Sequence, residues 1–112
     1  MGRKAQKNDS LPGSLDMLIL RTLSRRNLHG YGIVQFIQQS SENELLVEEG
    51  SLYPALHRIE QAGWIRAEWK LSDLGRQAKF YRLTRAGGKQ LSAEEDRWHK
   101  LTRGVSKVLR WA

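Results

Sequence analysis

The sequence predicts an α+β fold, mostly α, and three observations carry that prediction. Apolar residues recur at helical spacing in four separate stretches. Two short runs in the second half instead alternate residue by residue, as half-buried strands do. A turn containing Asp and Gly joins those two runs. At 112 residues the chain has room for one domain with one modest core.

Residues 1–10 are polar, carry Arg3, Lys4 and Lys7, and hold no periodic apolar residue, so they read as a flexible basic arm. Pro12-Gly13 is a breaker. Ser14 then caps a first helix, with Asp16 in the first turn, where the helix dipole favours negative charge. Leu15, Leu18, Ile19 and Leu23 form its inward stripe, and Met17 and Leu20 widen that stripe until the helix must be covered on two sides. Arg25-Arg26-Asn27 ends it. His29-Gly30-Tyr31-Gly32 opens a second helix, whose stripe is Ile33, Phe36 and Ile37 and which dissolves in Ser40-Ser41-Glu42-Asn43. The run 44–49, with β-branched Val47 near its centre and Gly50 as its stop, reads as a short edge strand.

The rest of the chain is organised around the third helix. Leu52, Ala55, Leu56 and Ile59 recur at i, i+3, i+4 and i+7 and give it one apolar face. Ser51 is the expected N-cap, with Pro54 in the first turn and Gly63 as the left-handed residue that stops the helix. The opposite face carries Pro54, His57 and Gln61, with Tyr53 and Arg58 on its flanks. Such hydrogen-bonding, cationic and aromatic groups suit the DNA major groove. An ordinary surface helix has the same division, so its surroundings decide between the two.

After Gly63, residues 64–70 place Ile65, Ala67 and Trp69 on one face and Arg66, Glu68 and Lys70 on the other. Residues 78–83 set Lys79, Tyr81 and Leu83 opposite Phe80 and Arg82, and the polar segment 71–77 between the runs makes a hairpin of medium loop length. From Arg66 to Lys89 there are seven basic and two acidic residues, a cationic ridge beside the third helix. Thr84 caps a last helix running to about Arg110. In it Leu91, Trp98 and Val105 are spaced by seven, Leu101 and Val108 take the complementary positions, and Glu94 stands at the missing one. Gly87-Gly88 is expected to fray its first turn.

The resulting order of helix, helix, short strand, helix, hairpin and long helix is that of a winged helix-turn-helix with a two-stranded wing and a long C-terminal dimerisation helix. The arm at 1–10 would precede a DNA-binding domain at 11–83, with the dimerisation helix at 84–112. The helix from Ser51 becomes the recognition helix.

Charge and composition agree with a polyanionic partner. The net charge is +7, from 19 basic and 12 acidic residues, and the whole excess lies in 51–112, where 13 basic residues face 6 acidic ones. With no cysteine, disulfides and thiolate metal sites are excluded, and a reducing cytoplasm is the expected location. The apolar run at 15–20 is too short to span a membrane. His29, His57 and His99 lie far apart without a metal-binding pair, and no glycine-rich phosphate loop is present, so neither catalysis, metal nor cofactor is expected.

The chain also resembles the PadR family of bacterial transcriptional regulators, in its short form with a single C-terminal helix. The resemblance rests on Gly13-Ser14-Leu15-Asp16-Met17-Leu18-Ile19-Leu20, on His29-Gly30-Tyr31-Gly32, and above all on Glu49-Gly50-Ser51-Leu52-Tyr53-Pro54-Ala55-Leu56-His57-Arg58-Ile59-Glu60 with Gly63-Trp64-Ile65. Lys79-Phe80-Tyr81-Arg82-Leu83-Thr84 and Gly87 extend it, so that it covers residues 13 to about 91. It implies a dimeric repressor released by a small aromatic effector, whose Ser51 helix meets the major groove of a pseudo-palindromic operator while the wing meets the backbone. Ser51, Tyr53, Pro54, His57, Arg58 and Gln61 of the helix and Lys70, Arg76 and Lys79 of the wing are the candidate DNA contacts. Leu15, Leu91, Trp98, Leu101, Val105 and Val108 are the candidate dimer interface, and Trp98 is the candidate for stacking on an effector or for simple packing. A winged helix used only for protein contacts is the alternative reading.

Overall fold

The computed structural model describes residues 14–71 and 73–111. The basic arm expected at 1–10 lies outside them. Helix α1 (Leu15–Arg25) buries Leu15, Met17, Ile19, Leu20, Thr22 and Leu23, a stripe too broad for one neighbour. It is accordingly the central helix, packed on three other helices and on the sheet. Thr22, buried although it is polar, returns its hydroxyl to the Leu18 carbonyl at 2.7 Å, so its own donor is met.

Helix α2 (Gly30–Ser40) is capped by His29, whose Nδ1 accepts the Gly32 N–H at 3.0 Å. The third strand of the fold is not the segment 44–49 but β1 (Leu28–His29), just before this helix. The 44–49 segment forms no strand. Val47 is buried like a strand residue, yet its N–H donates to the Gln38 side chain at 3.2 Å, which removes it from any ladder.

Helix α3 (Glu49–Gln61) buries Leu52, Ala55, Leu56 and Ile59, the four residues of the predicted stripe. Its N-cap is Glu48 rather than Ser51. The Glu48 carbonyl accepts from the Ser51 and Leu52 N–H groups, both at 2.9 Å, so Ser51 already lies inside the first turn. Pro54 therefore falls in the second turn, on the exposed side, where the carbonyl that it cannot serve meets solvent. Glu49 in the first turn is favoured by the dipole. Gly63, at φ 84°, stops the helix as expected.

Strands β2 (Ile65–Leu71) and β3 (Gln77–Leu83) form the hairpin, and β1 pairs with β3 to give the order β1-β3-β2, antiparallel throughout. Ile65 pairs with Leu83 at the base and Leu71 with Gln77 at the tip. Helix α4 (Arg85–Trp111) leaves the sheet through Thr84, whose hydroxyl donates to the Gly63 carbonyl at 2.7 Å and accepts the Gly87 N–H at 3.0 Å, while its own N–H donates to the Trp64 carbonyl at 3.0 Å. The Gly87-Gly88 doublet is no loose turn. Gly87 is buried, and a Cβ there would collide with the Trp64 carbonyl oxygen and the Leu83 side chain. The glycine lets the helix close onto the chain behind α3.

Candidate nucleic-acid interface

Burial of four residues on one side of α3 leaves Tyr53, Pro54, His57, Arg58 and Gln61 exposed on the other, with Ser51 half-buried at its start. The hairpin stands beside this face: Arg76 and Lys79 share a concavity with Tyr53, and Lys79 reaches Glu60 of α3, while Lys70, equally exposed, lies over Phe80 on the other face of the hairpin. Helix face and wing are therefore available together to one partner.

Arg58, Lys79 and Lys70 each have a close neighbour within the chain. Arg58 Nη2 sits 2.5 Å from Asp16 Oδ1 of α1, which ties the recognition-helix flank to the central helix. Lys79 Nζ lies 3.9 Å from Glu60 and 5.8 Å from the centre of the Tyr81 ring. The Lys70 ammonium similarly lies 5.9 Å from the centre of the Phe80 ring. Both arrangements hold long side chains along the sheet, and at this exposure the pairings contribute little to stability. Tyr81, buried beneath Lys79, has its phenol pushed above the ordinary value first by burial, then by the neighbouring Glu60 and Tyr53.

Tyr53 has a clear structural role. A Cβ on Gly30 would stand 2.7 Å from the Tyr53 hydroxyl and 3.0 Å from its ring, so the start of α2 lacks a side chain where the tyrosine lies. His29, Tyr31, Gln35, Tyr53, Trp69 and Arg76 line an open concavity of about 940 Å³ between α2, α3 and the hairpin. Tyr31 and Trp69 were not among the residues singled out from the sequence. No periodicity links positions on three different elements, and only the fold brings them together.

The fold, with an exposed helix face beside a cationic hairpin, corresponds to a known group of proteins. The sequence model of the PadR-like transcriptional regulator family matches residues 19–93. The chain belongs to that family. It is 33% identical over 87 residues to the transcriptional regulator Rv3488 of Mycobacterium tuberculosis, an alignment that covers 78% of each protein. Among solved structures, a PadR-like transcriptional regulator from Bacillus cereus superposes with a TM-score of 0.76 at 30% identity, over 88% of this chain and 94% of that one. A transcriptional regulator from Clostridium thermocellum gives 0.81 at 25% identity, over 88% and 96%. The PadR-like family and these relatives are transcriptional regulators, not enzymes.

The residues singled out for a dimer interface divide into two groups. Leu15 and Leu91 are buried within the chain's own core. Trp98, Leu101, Val105 and Val108, with Leu109 beside them, are between 43% and 67% exposed and run as one stripe along the second half of α4. Trp98 also lines an open groove of about 480 Å³ with Met17, Glu94, Arg97, Lys100 and Leu101.

Proposed function

We propose that this PadR-like regulator is a sequence-specific DNA-binding repressor that acts as a homodimer and is released by a small aromatic effector. The observation that carries the reading is the exposed face of α3, with Tyr53, His57 and Gln61, standing next to a hairpin that supplies Lys70, Arg76 and Lys79. His57 and Gln61 are of the kind that read base edges, and the hairpin cations are of the kind that hold phosphates. The exposed apolar stripe of α4 supports a second copy as the partner that covers it. The groove beside Trp98 supports the effector, since it offers an indole face and both signs of charge. Among the described residues no helix is long and apolar enough to cross a membrane, and we place the protein in the cytoplasm.

The test is binding to duplexes selected from a random pool. Two helices and two wings should neutralise about six to ten phosphates, so affinity should fall about 10³-fold or more between roughly 50 and 200 mM salt. Arg76→Ala and Lys79→Ala should weaken all duplexes alike, whereas His57→Ala and Gln61→Ala should relax preference at particular base pairs by about 1 to 3 kcal/mol. A change below about tenfold across that salt range would favour a winged helix that contacts proteins instead.

A further inference from the structure

The hairpin carries an apolar row that the core does not use. On the face of β2 that starts with buried Ile65 and half-buried Ala67, the alternation continues to Trp69 and Leu71, each 66% exposed. Leu74, in the turn beyond them, is 85% exposed. Gly75, at φ 78°, turns the chain there, and Lys70 and Arg76 stand on the two arms of the tip. Leu74 borders the concavity between α2, α3 and the hairpin yet stays almost wholly in water, and although Asp73 precedes it, the cations Lys70 and Arg76 outnumber that one carboxylate at the tip and point to a polyanion as the partner.

We propose that Leu74 is a wedge: when the protein binds DNA, the hairpin tip enters the minor groove and Leu74 inserts between two base pairs, unstacking them and bending the duplex. This rests on the DNA-binding reading above. The physical problem is one of width. The minor groove is about 6 Å wide, and two strands already lie about 4.8 Å apart before their side chains are counted. A hairpin tip with its side chains is therefore crowded in an unopened groove and gains room where the groove is widened. An apolar side chain driven into the base stack opens it and bends the duplex toward the major groove. That is the groove assigned to α3, so the bend would bring more of the duplex against the recognition helix. Lys70 and Arg76, on opposite arms, would meet the phosphates of the two groove walls.

The experiment compares the wild type with Leu74→Ala and Leu74→Ser on a duplex selected from a random pool. Bending is read by energy transfer between end labels, and unstacking by 2-aminopurine placed in turn at each step flanking the helix contacts. The exposed position predicts unchanged melting for both variants. The wild type should bend the duplex and raise the fluorescence at one step per half-site. Both variants should lose bend and fluorescence and bind the intact duplex about 10-fold more weakly, yet match the wild type on a duplex with a mismatch at that step, where the stack is already broken. A bound wild-type duplex that stays straight, or variants that bend it equally, would overturn the wedge while leaving DNA binding intact. Variants equally weakened on both duplexes, or altered in mass by light scattering, would assign Leu74 to another contact. A wild type that binds no duplex at any salt would overturn both readings.

Discussion

In the first half of α4, Gly87 and Leu91 are buried and Glu95 pairs with Arg21 of α1 at 3.2 Å, whereas in the second half Trp98, Leu101, Val105 and Val108 continue the same seven-residue repeat into solvent. The repeat is one pattern serving two environments. Up to Leu91 the chain covers its own seam with α1. Beyond that point α1 reaches only Glu95, through Arg21, and the rim of the groove beside Trp98 and Leu101, through Met17, while the apolar spacing persists to Val105 and Val108, in a groove lined by α4 alone. A heptad seam thus records that a helix face is to be buried, not which chain will bury it.

The largest effect should come from charging the open half. Leu101→Glu would place a carboxylate in the proposed interhelical seam at a cost of several kcal/mol to association, while the core, which ends at Leu91, stays folded. Light scattering should report a monomer with native circular dichroism, and a variant that remains dimeric would show that α4 pairs through another face. Next, Gly87→Ala forces a methyl into backbone in the closed half and should destabilise the fold by about 3 kcal/mol in urea titration. Gly104→Ala makes the same chemical change in the open half, where a Cβ meets nothing within 4 Å, and should stabilise it by up to about 1 kcal/mol through helix propensity. Equal signs for the two glycine variants would erase the distinction between the halves.

The smallest effect concerns Tyr81 in the closed domain. Its raised phenol binds its proton more tightly folded than unfolded, so the associated stability is complete below the ordinary value of about 10 and is lost as pH rises through the folded value. Tyr81→Phe should therefore lose less stability than the wild type between about pH 9 and about pH 11, as read by unfolding midpoints at each pH.

Local patterns were legible in this sequence and distant ones were not. The stripe Leu52, Ala55, Leu56 and Ile59 could be read because helical spacing is a property of neighbours, and so could the alternation of the hairpin and the start of α4 at Thr84. The start of α3 was misplaced because Glu49 and Gly50 add no apolar repeat, while Ser51 looks like a cap. β1 is two residues long, too short to show alternation, and its place was given to 44–49 because a buried valine looks the same in a strand or a loop. Gly87 read as a weak point because its reason, the Trp64 carbonyl, comes from another part of the chain. Likewise Arg58 could be placed on an exposed helix flank, but nothing in the spacing pointed to its partner Asp16, which only the packing of α1 on α3 supplies.

Thr84 ties the end of α3, the start of the hairpin and the first turn of α4 together within a few ångströms. Mechanically this is a fixed joint, which sets the angle at which α4 departs. With 27 residues α4 is roughly 40 Å long, so each degree in that departure angle displaces its far end by about 0.7 Å. In the proposed two-fold assembly the angle at which α4 leaves Thr84 would set the distance between the two recognition helices. If the proposed effector lodges beside Trp98, a slight bend of the helix there would put the two proposed reading heads out of step with the helical repeat of DNA.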